Sequence, residues 1–227
     1  MRHEIILNGM VITTDNSAAI GQKRLDAVKA PDPITAKFAA RVALLEQWAA
    51  GSEPQAVLLH NFSGAEHWEP YVAGIEELFY EAGLPKPSIS GSSETNMQTL
   101  QSALAVTMIG RQEGEREESN LEWVVYGEPL TGKDVMENPA KIADLKKLND
   151  LMKRKLIHRI WPVGSKGIAA EVDLMLNRTI KVLEKGPDLL ASGGPATSVL
   201  LGIMPQNTKT VMDFLESPVY PVYFDKI

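Results

Sequence analysis

Three carboxylates on three separate segments hold most of the chemistry this chain could do: Asp15, Glu46 and Glu94. Glu94 lies in Gly91-Ser92-Ser93-Glu94-Thr95-Asn96, where small side chains leave backbone amides open to phosphate oxygens while the carboxylate holds a cation. Asp15 closes Thr13-Thr14-Asp15, at the end of an expected strand where side chains face a crevice. Scattered oxygen donors suit magnesium, which takes few carboxylates and completes its shell with water and substrate phosphates. Each acid also has a plain alternative. Asp15 could cap the turn Asp15-Asn16-Ser17, Glu46 could be structural at the margin of an apolar stripe, and Glu94 could sit in an ordinary Ser-rich turn. Asp26 is a further acid without an assigned role. Gly164-Ser165-Lys166-Gly167 opens an expected helix and offers free amides, a hydroxyl and a lysine, either an anion site or a common helix-start loop.

Composition narrows the chemistry. The absence of cysteine removes disulfides, thiolate metal sites and cysteine nucleophiles together. His3, His60, His67 and His158 include no i, i+4 pair, so a helical zinc site is not expected. A net charge of -6 gives no general attraction to nucleic acid or anionic lipid, so neither is expected as a partner. No apolar run approaches the ~20 residues of a membrane-spanning helix, and the expected location is the cytoplasm.

The elements that must position these residues follow an α/β pattern. Residues 3–8 and 10–15 read as strands joined by an Asn8-Gly9 hairpin turn. Asp32 is the expected N-cap of a helix with Pro33 at its first position, a stripe of Ile34, Phe38, Val42, Leu45 and Ala49, and a stop at Gly51. A strand over 55–60, a helix over 65–82 closed by Gly83, and a buried strand over 102–109 complete the first half. Polar residues 111–119 mark an exposed connection and set the expected domains at 1–112 and 113–227. The second half reads as strands over 121–126, 157–161, 197–204 and 219–224. Its helices open at Asn138-Pro139, after Gly167, and at a cap on Asn207.

The motif order resembles the AIR synthase-related superfamily, which includes aminoimidazole ribonucleotide synthetase, thiamine-monophosphate kinase and selenophosphate synthetase. Ile12-Thr13-Thr14-Asp15 looks like its Thr-Thr-Asp strand, Leu45 to Pro54 like its helix ending in Asp, small residues and Gly-Ala-x-Pro, and Gly91 to Thr95 like its Gly-Gly-Glu/Asp-Thr turn. A shorter subgroup, the α-ribazole kinases of cobamide salvage (cobalamin biosynthesis), is similar at Thr14 to Gly21, Gly91 to Asn96, Val163 to Ile168 and Gly194 to Thr197.

The resemblance implies a mixed α/β (α+β) protein of two AIR synthase-like domains, the first pairing in a homodimer. It implies an ATP- and magnesium-dependent kinase acting on a nucleoside-like alcohol, with the 5′-hydroxyl of α-ribazole as leading acceptor. It places magnesium on Asp15, Glu46 and Glu94, and catalysis on Asp15, Glu94 and Lys166. Nucleotide contacts fall to Asn16, Ser17, Gly91, Ser92, Ser93, Thr95, Asn96, Gly164, Ser165 and Gly167. Three departures accompany it: the chain opens on its first hairpin, where several members carry a glycine-rich arm, Glu46 stands for Asp, and the second Asp and Gly-rich turn is replaced by Val163 to Ile168. An amide-activating, ring-closing enzyme and a non-catalytic dimeric nucleotide-binding protein are the alternatives.

Overall fold

A computed structural model of the protein describes residues 3–112, 120–176, 186–216 and 218–224. The chain divides into two compact units, Met1–Glu115 and Arg116–Ile227. The connection expected over 111–119 lies largely outside the described residues, and its first two residues belong to a strand.

The first unit begins with β1 (Ile5–Leu7) and β2 (Met10–Ala18), joined through Asn8 and Gly9 at φ 52° and 77°. Both angles lie in the left-handed region that Asn and Gly tolerate, as the hairpin requires. Next come a two-stranded parallel pair, β3 (Ile20–Gly21) with β4 (Val28–Lys29), then helix α1 (Asp32–Ala49) and strand β5 (Ser52–Asn61). A short 3-10 turn (Ala65–His67), helix α2 (Trp68–Glu81), β6 (Ser88–Ser93) and β7 (Ala103–Gln112) follow. The five-stranded sheet runs β1-β2-β7-β5-β6 and is antiparallel except for the β5–β6 pair.

One face of this sheet is buried. Val11 and Thr13 of β2, Val57 and Leu59 of β5, and Leu104, Val106 and Met108 of β7 alternate inward with the period of two that a half-buried strand requires. Helix α1 is fixed to that face by polar bonds as well as packing. The Gln47 amide donates to the carbonyls of Val11 (2.9 Å) and Met108 (3.0 Å), and the Thr13 hydroxyl donates to the carbonyl of Ala43 (2.8 Å).

The second unit holds a four-stranded antiparallel sheet, β11-β8-β10-β9, made from β8 (Glu122–Tyr126), β9 (Arg159–Pro162), β10 (Val199–Ile203) and β11 (Val219–Val222). Its helices are α3 (Lys133–Glu137), α4 (Leu145–Lys153), α5 (Gly167–Leu176) and α6 (Thr208–Leu215). Trp123, Val125, Trp161, Leu200 and Val222 of the sheet pack with Val163, Ile168 and Val172 to form its core.

Several expected boundaries move. Asp32 is the first helical residue of α1, not a side-chain cap, because its carboxylate is bonded to His67. The helix expected to open at Asn138-Pro139 is only a 3-10 turn there, and α4 starts after Asp144, which accepts the Lys147 amide at 3.0 Å. Asn207 makes no side-chain cap bond and closes a 3-10 turn ahead of α6.

The Gln47 clamp is testable. Gln47→Leu removes the donor from two strand carbonyls and should cost about 2–4 kcal/mol. Urea unfolding followed by circular dichroism should show a lower midpoint at an unchanged slope.

Candidate functional site

Asp15 does not end its strand: β2 continues to Ala18, paired with β7 through Asp15↔Val106 and on to Ala18↔Ala103. This overturns the turn-cap alternative, because residues 15–17 lie in a ladder. Alternation puts the Asp15 side chain on the face of Val11 and Thr13, the covered side of the sheet. Burial raises its pKa to about 6, and the Asn16 amide, which bonds the carboxylate, lowers it only in part. Among the described residues no charged group contributes to that shift. A desolvated carboxylate without a counter-charge is the donor a cation would relieve.

Glu46 is also buried, on the last turns of α1. The bonds of Gln47 and Ala43 set those turns against Val11 and Thr13, whereas Asp15 lies four residues beyond Val11, roughly 13 Å of strand.

Gly91, Ser92 and Ser93 are strand, not turn. They pair in parallel with Leu59, His60 and Asn61 on the outer edge of the sheet. A Cβ on Gly91 would strike the carbonyl of Leu59, so the close approach needs glycine. The amides expected to be open over 91–93 therefore belong to an edge strand, and the turn begins at Glu94. Its Oε1 accepts the amides of Asn96 (2.7 Å) and Met97 (3.1 Å), which hold the carboxyl below the usual range. Among the described residues no group of three His, Cys, Asp or Glu side chains gathers as a metal cluster. Asp15, Glu46 and Glu94 are not part of any such group.

The residues around these acids form a polar framework that the sequence did not disclose. Asn61 donates to Ser93 Oγ (3.0 Å) and to the carbonyl of Gly64 (2.7 Å), and accepts the Ser63 amide at 2.8 Å; its own carbonyl takes the Glu94 amide at 2.8 Å. Ser63 shares a hydrogen bond with the Tyr71 hydroxyl (2.8 Å) and also bonds the backbone of Ala103. Buried Asp32 meets His67 Nδ1 at 2.6 Å, and that ring stacks on Tyr71. Asp26 gains a structural role. Burial would raise its pKa, but the Ser102 amide and hydroxyl, the Lys23 amide and the charge of Lys29 together hold it below the ordinary value.

In the second unit, Gly164-Ser165-Lys166-Gly167 precedes α5 as expected, yet its amides are not all free. Gly164 donates to Glu171 Oε1 (3.1 Å) and Gly167 donates to the carbonyl of Gly164 (3.1 Å). Glu171 is buried and also takes the Trp161 indole N–H at 2.9 Å, so one carboxylate ties the loop to β9. Nothing in the sequence singled it out except its place on α5. The Gly193 amide donates to the Gly164 carbonyl at 3.0 Å, which joins this loop to the Gly-Pro-Ala-Thr turn. Thr197 then bonds the carbonyl of Glu128 (2.8 Å) and the amide of Leu130 (2.9 Å). Ser165 and Lys166 remain exposed at the tip.

The fold of the chain is similar to that of several solved structures. A thiamine monophosphate kinase crystallised with AMPPCP and TMP is similar over 99% of this chain and 84% of its own, at 12% identity and a TM-score of 0.66. A thiamine monophosphate kinase from Aquifex aeolicus gives 0.62 at 12% identity, over 97% and 86%. Hydrogenase maturation protein HypE in complex with ATP gives 0.61 at 11% identity, over 96% and 77%. No family model matches the sequence, and no curated protein matches it.

The burial of Asp15 has a measurable consequence. A carboxyl whose folded pKa is raised contributes stability at low pH that is lost as pH climbs from 3.8 through about 6. Asp15→Asn should therefore stabilise the protein at pH 7 by on the order of 3 kcal/mol, and by little at pH 4. Urea midpoints at the two pH values read this directly.

Proposed function

We propose that this protein is an ATP- and magnesium-dependent phosphotransferase that phosphorylates the hydroxyl of a small nucleoside-like alcohol, with the 5′-hydroxyl of α-ribazole as leading acceptor. The observation that carries the reading is Asp15, a desolvated carboxylate with its pKa raised to about 6 and no opposing charge contributing among the described residues. The fold shared with thiamine monophosphate kinase, and the nucleotides in the neighbours' crystals, support it.

In this reading Asp15 and Glu94 are the carboxylates offered to magnesium, and Glu46 is the third acid assigned to it. Bound magnesium would neutralise phosphate charge during the in-line transfer. The chain's own contribution is positioning. Asn61 fixes the start of the Glu94 turn, and the Asn16, Ser17, Thr95 and Asn96 side chains provide hydrogen-bonding groups on the same two segments. Within the second unit, Ser165 and Lys166 present a hydroxyl and a cation on the loop that Glu171 anchors. Pairing of two copies through the N-terminal unit is part of the same proposal. Ile5, Leu7 and Met10 are exposed on the sheet face opposite α1 and would be covered in such a dimer.

Purified protein incubated with magnesium, ATP and α-ribazole should yield α-ribazole 5′-phosphate and ADP, read by mass spectrometry. ADP with a cyclised product would favour the ring-closing alternative, and nucleotide binding without turnover of the acceptor would contradict the kinase assignment. Glu94→Gln should keep the fold and weaken magnesium-dependent ATP binding at least tenfold, whereas an unchanged affinity would remove Glu94 from the site. Because Asp15 must shed a proton to serve a metal, ATP affinity in magnesium should fall as pH drops below about 6.

A further inference from the structure

Four large apolar side chains stand exposed on segments next to the Glu94 turn: Leu25 (43%), Phe62 (47%), Met97 (74%) and Leu100 (71%). These segments are tied to one another. The Thr99 hydroxyl donates to the Phe62 carbonyl at 3.0 Å, and Lys23 Nζ donates to the Thr99 carbonyl (3.0 Å) and hydroxyl (2.6 Å). The Gln101 amide donates to the Leu25 carbonyl at 2.7 Å, and Glu94 accepts the Met97 amide. Asp26 pins the same loop from below through the amides of Lys23 and Ser102. The polar cross-ties hold the three backbones in place while the apolar side chains stay in water, an arrangement that marks a ligand surface rather than a core.

The loop between β3 and β4 is also basic, in a chain whose net charge is -6. Arg24 and Lys29 are exposed. Lys29 Nζ donates to the carbonyls of Lys23 and Arg24. The nearby carboxylate, Asp26, spends both its oxygens on Ser102 and the Lys23 amide. Neither cation makes a close ion pair among the described residues, although the charge of Lys29 acts on Asp26.

We infer that this surface binds a phosphorylated heterocycle, Arg24 and Lys29 taking the phosphates and Leu25, Phe62, Met97 and Leu100 the ring. The choice of ligand rests on the nucleotide reading above; the surface itself does not depend on magnesium. Apolar area recognises the ring and exposed cations recognise the phosphates, so a two-part ligand matches both halves of the surface.

Calorimetric titration of the full chain in excess EDTA, with ATP and with tripolyphosphate as separate probes, tests this. Arg24→Ala with Lys29→Gln should weaken both probes about tenfold. Met97→Ala with Leu100→Ser should weaken ATP about fivefold and leave tripolyphosphate unchanged. If the Arg24/Lys29 variant binds ATP like the parent while Asp15→Asn abolishes binding in magnesium, the inference is overturned and the magnesium reading stands. If the Arg24/Lys29 variant loses ATP and neither Asp15→Asn nor Glu94→Gln changes binding in magnesium, the inference stands and the magnesium reading falls. Loss of self-association in the Met97/Leu100 variant, with nucleotide affinity intact, would overturn the inference in favour of a protein interface.

Discussion

The loops at one end of the N-terminal sheet are held by buried polar side chains bonded to backbone, and everything assigned to this unit depends on that. A strand that leaves a sheet carries amides and carbonyls that must find partners once they are out of the ladder and away from water. Here Asn61 and Ser63 supply them after β5, and Asp26 with Ser102 supplies them between β3 and β7. Each is almost fully buried, so its bonds are made at low dielectric, where breaking one is costly. Loops fixed this way can keep charged and apolar side chains in water without collapsing over them.

The two principal acids sit in opposite environments within this framework. Asp15 is half withdrawn from water on the covered face of the sheet, which favours its neutral form, whereas Glu94 lies in an open turn whose amides favour its charged form. One carboxylate is therefore charged at any pH above the ordinary acid range, and the other only once it gives up a proton near pH 6. Withdrawing Asp15 from water costs stability that an apolar or amide side chain would not.

Much of the fold was legible in local signals. Asn8-Gly9 between alternating strands, the spacing of apolar residues in α1, and Gly51 and Gly83 as stops each act within a few residues, and the structure has those elements. What was not legible depends on partners distant in sequence. Gly91 to Ser93 read as a turn because small polar residues rarely build strands, yet pairing with β5 makes them one. Asp32 read as a cap because its local setting is a helix start, but His67, which lies 35 residues on, takes its carboxylate. Glu171 and Asn61 carry no local mark at all, since an acid on a helix and an amide at a strand end are ordinary until the fold surrounds them.

The proposal rests on half-buried Asp15 meeting a metal-bound phosphate. A crystal structure of the protein with magnesium and a nonhydrolysable ATP analogue tests it most directly. The account predicts a magnesium ion bonded to the Asp15 carboxylate and to a phosphate oxygen of the analogue. A nucleotide bound with its metal elsewhere, and with Asp15 still uncoordinated on the covered face of the sheet, would contradict it.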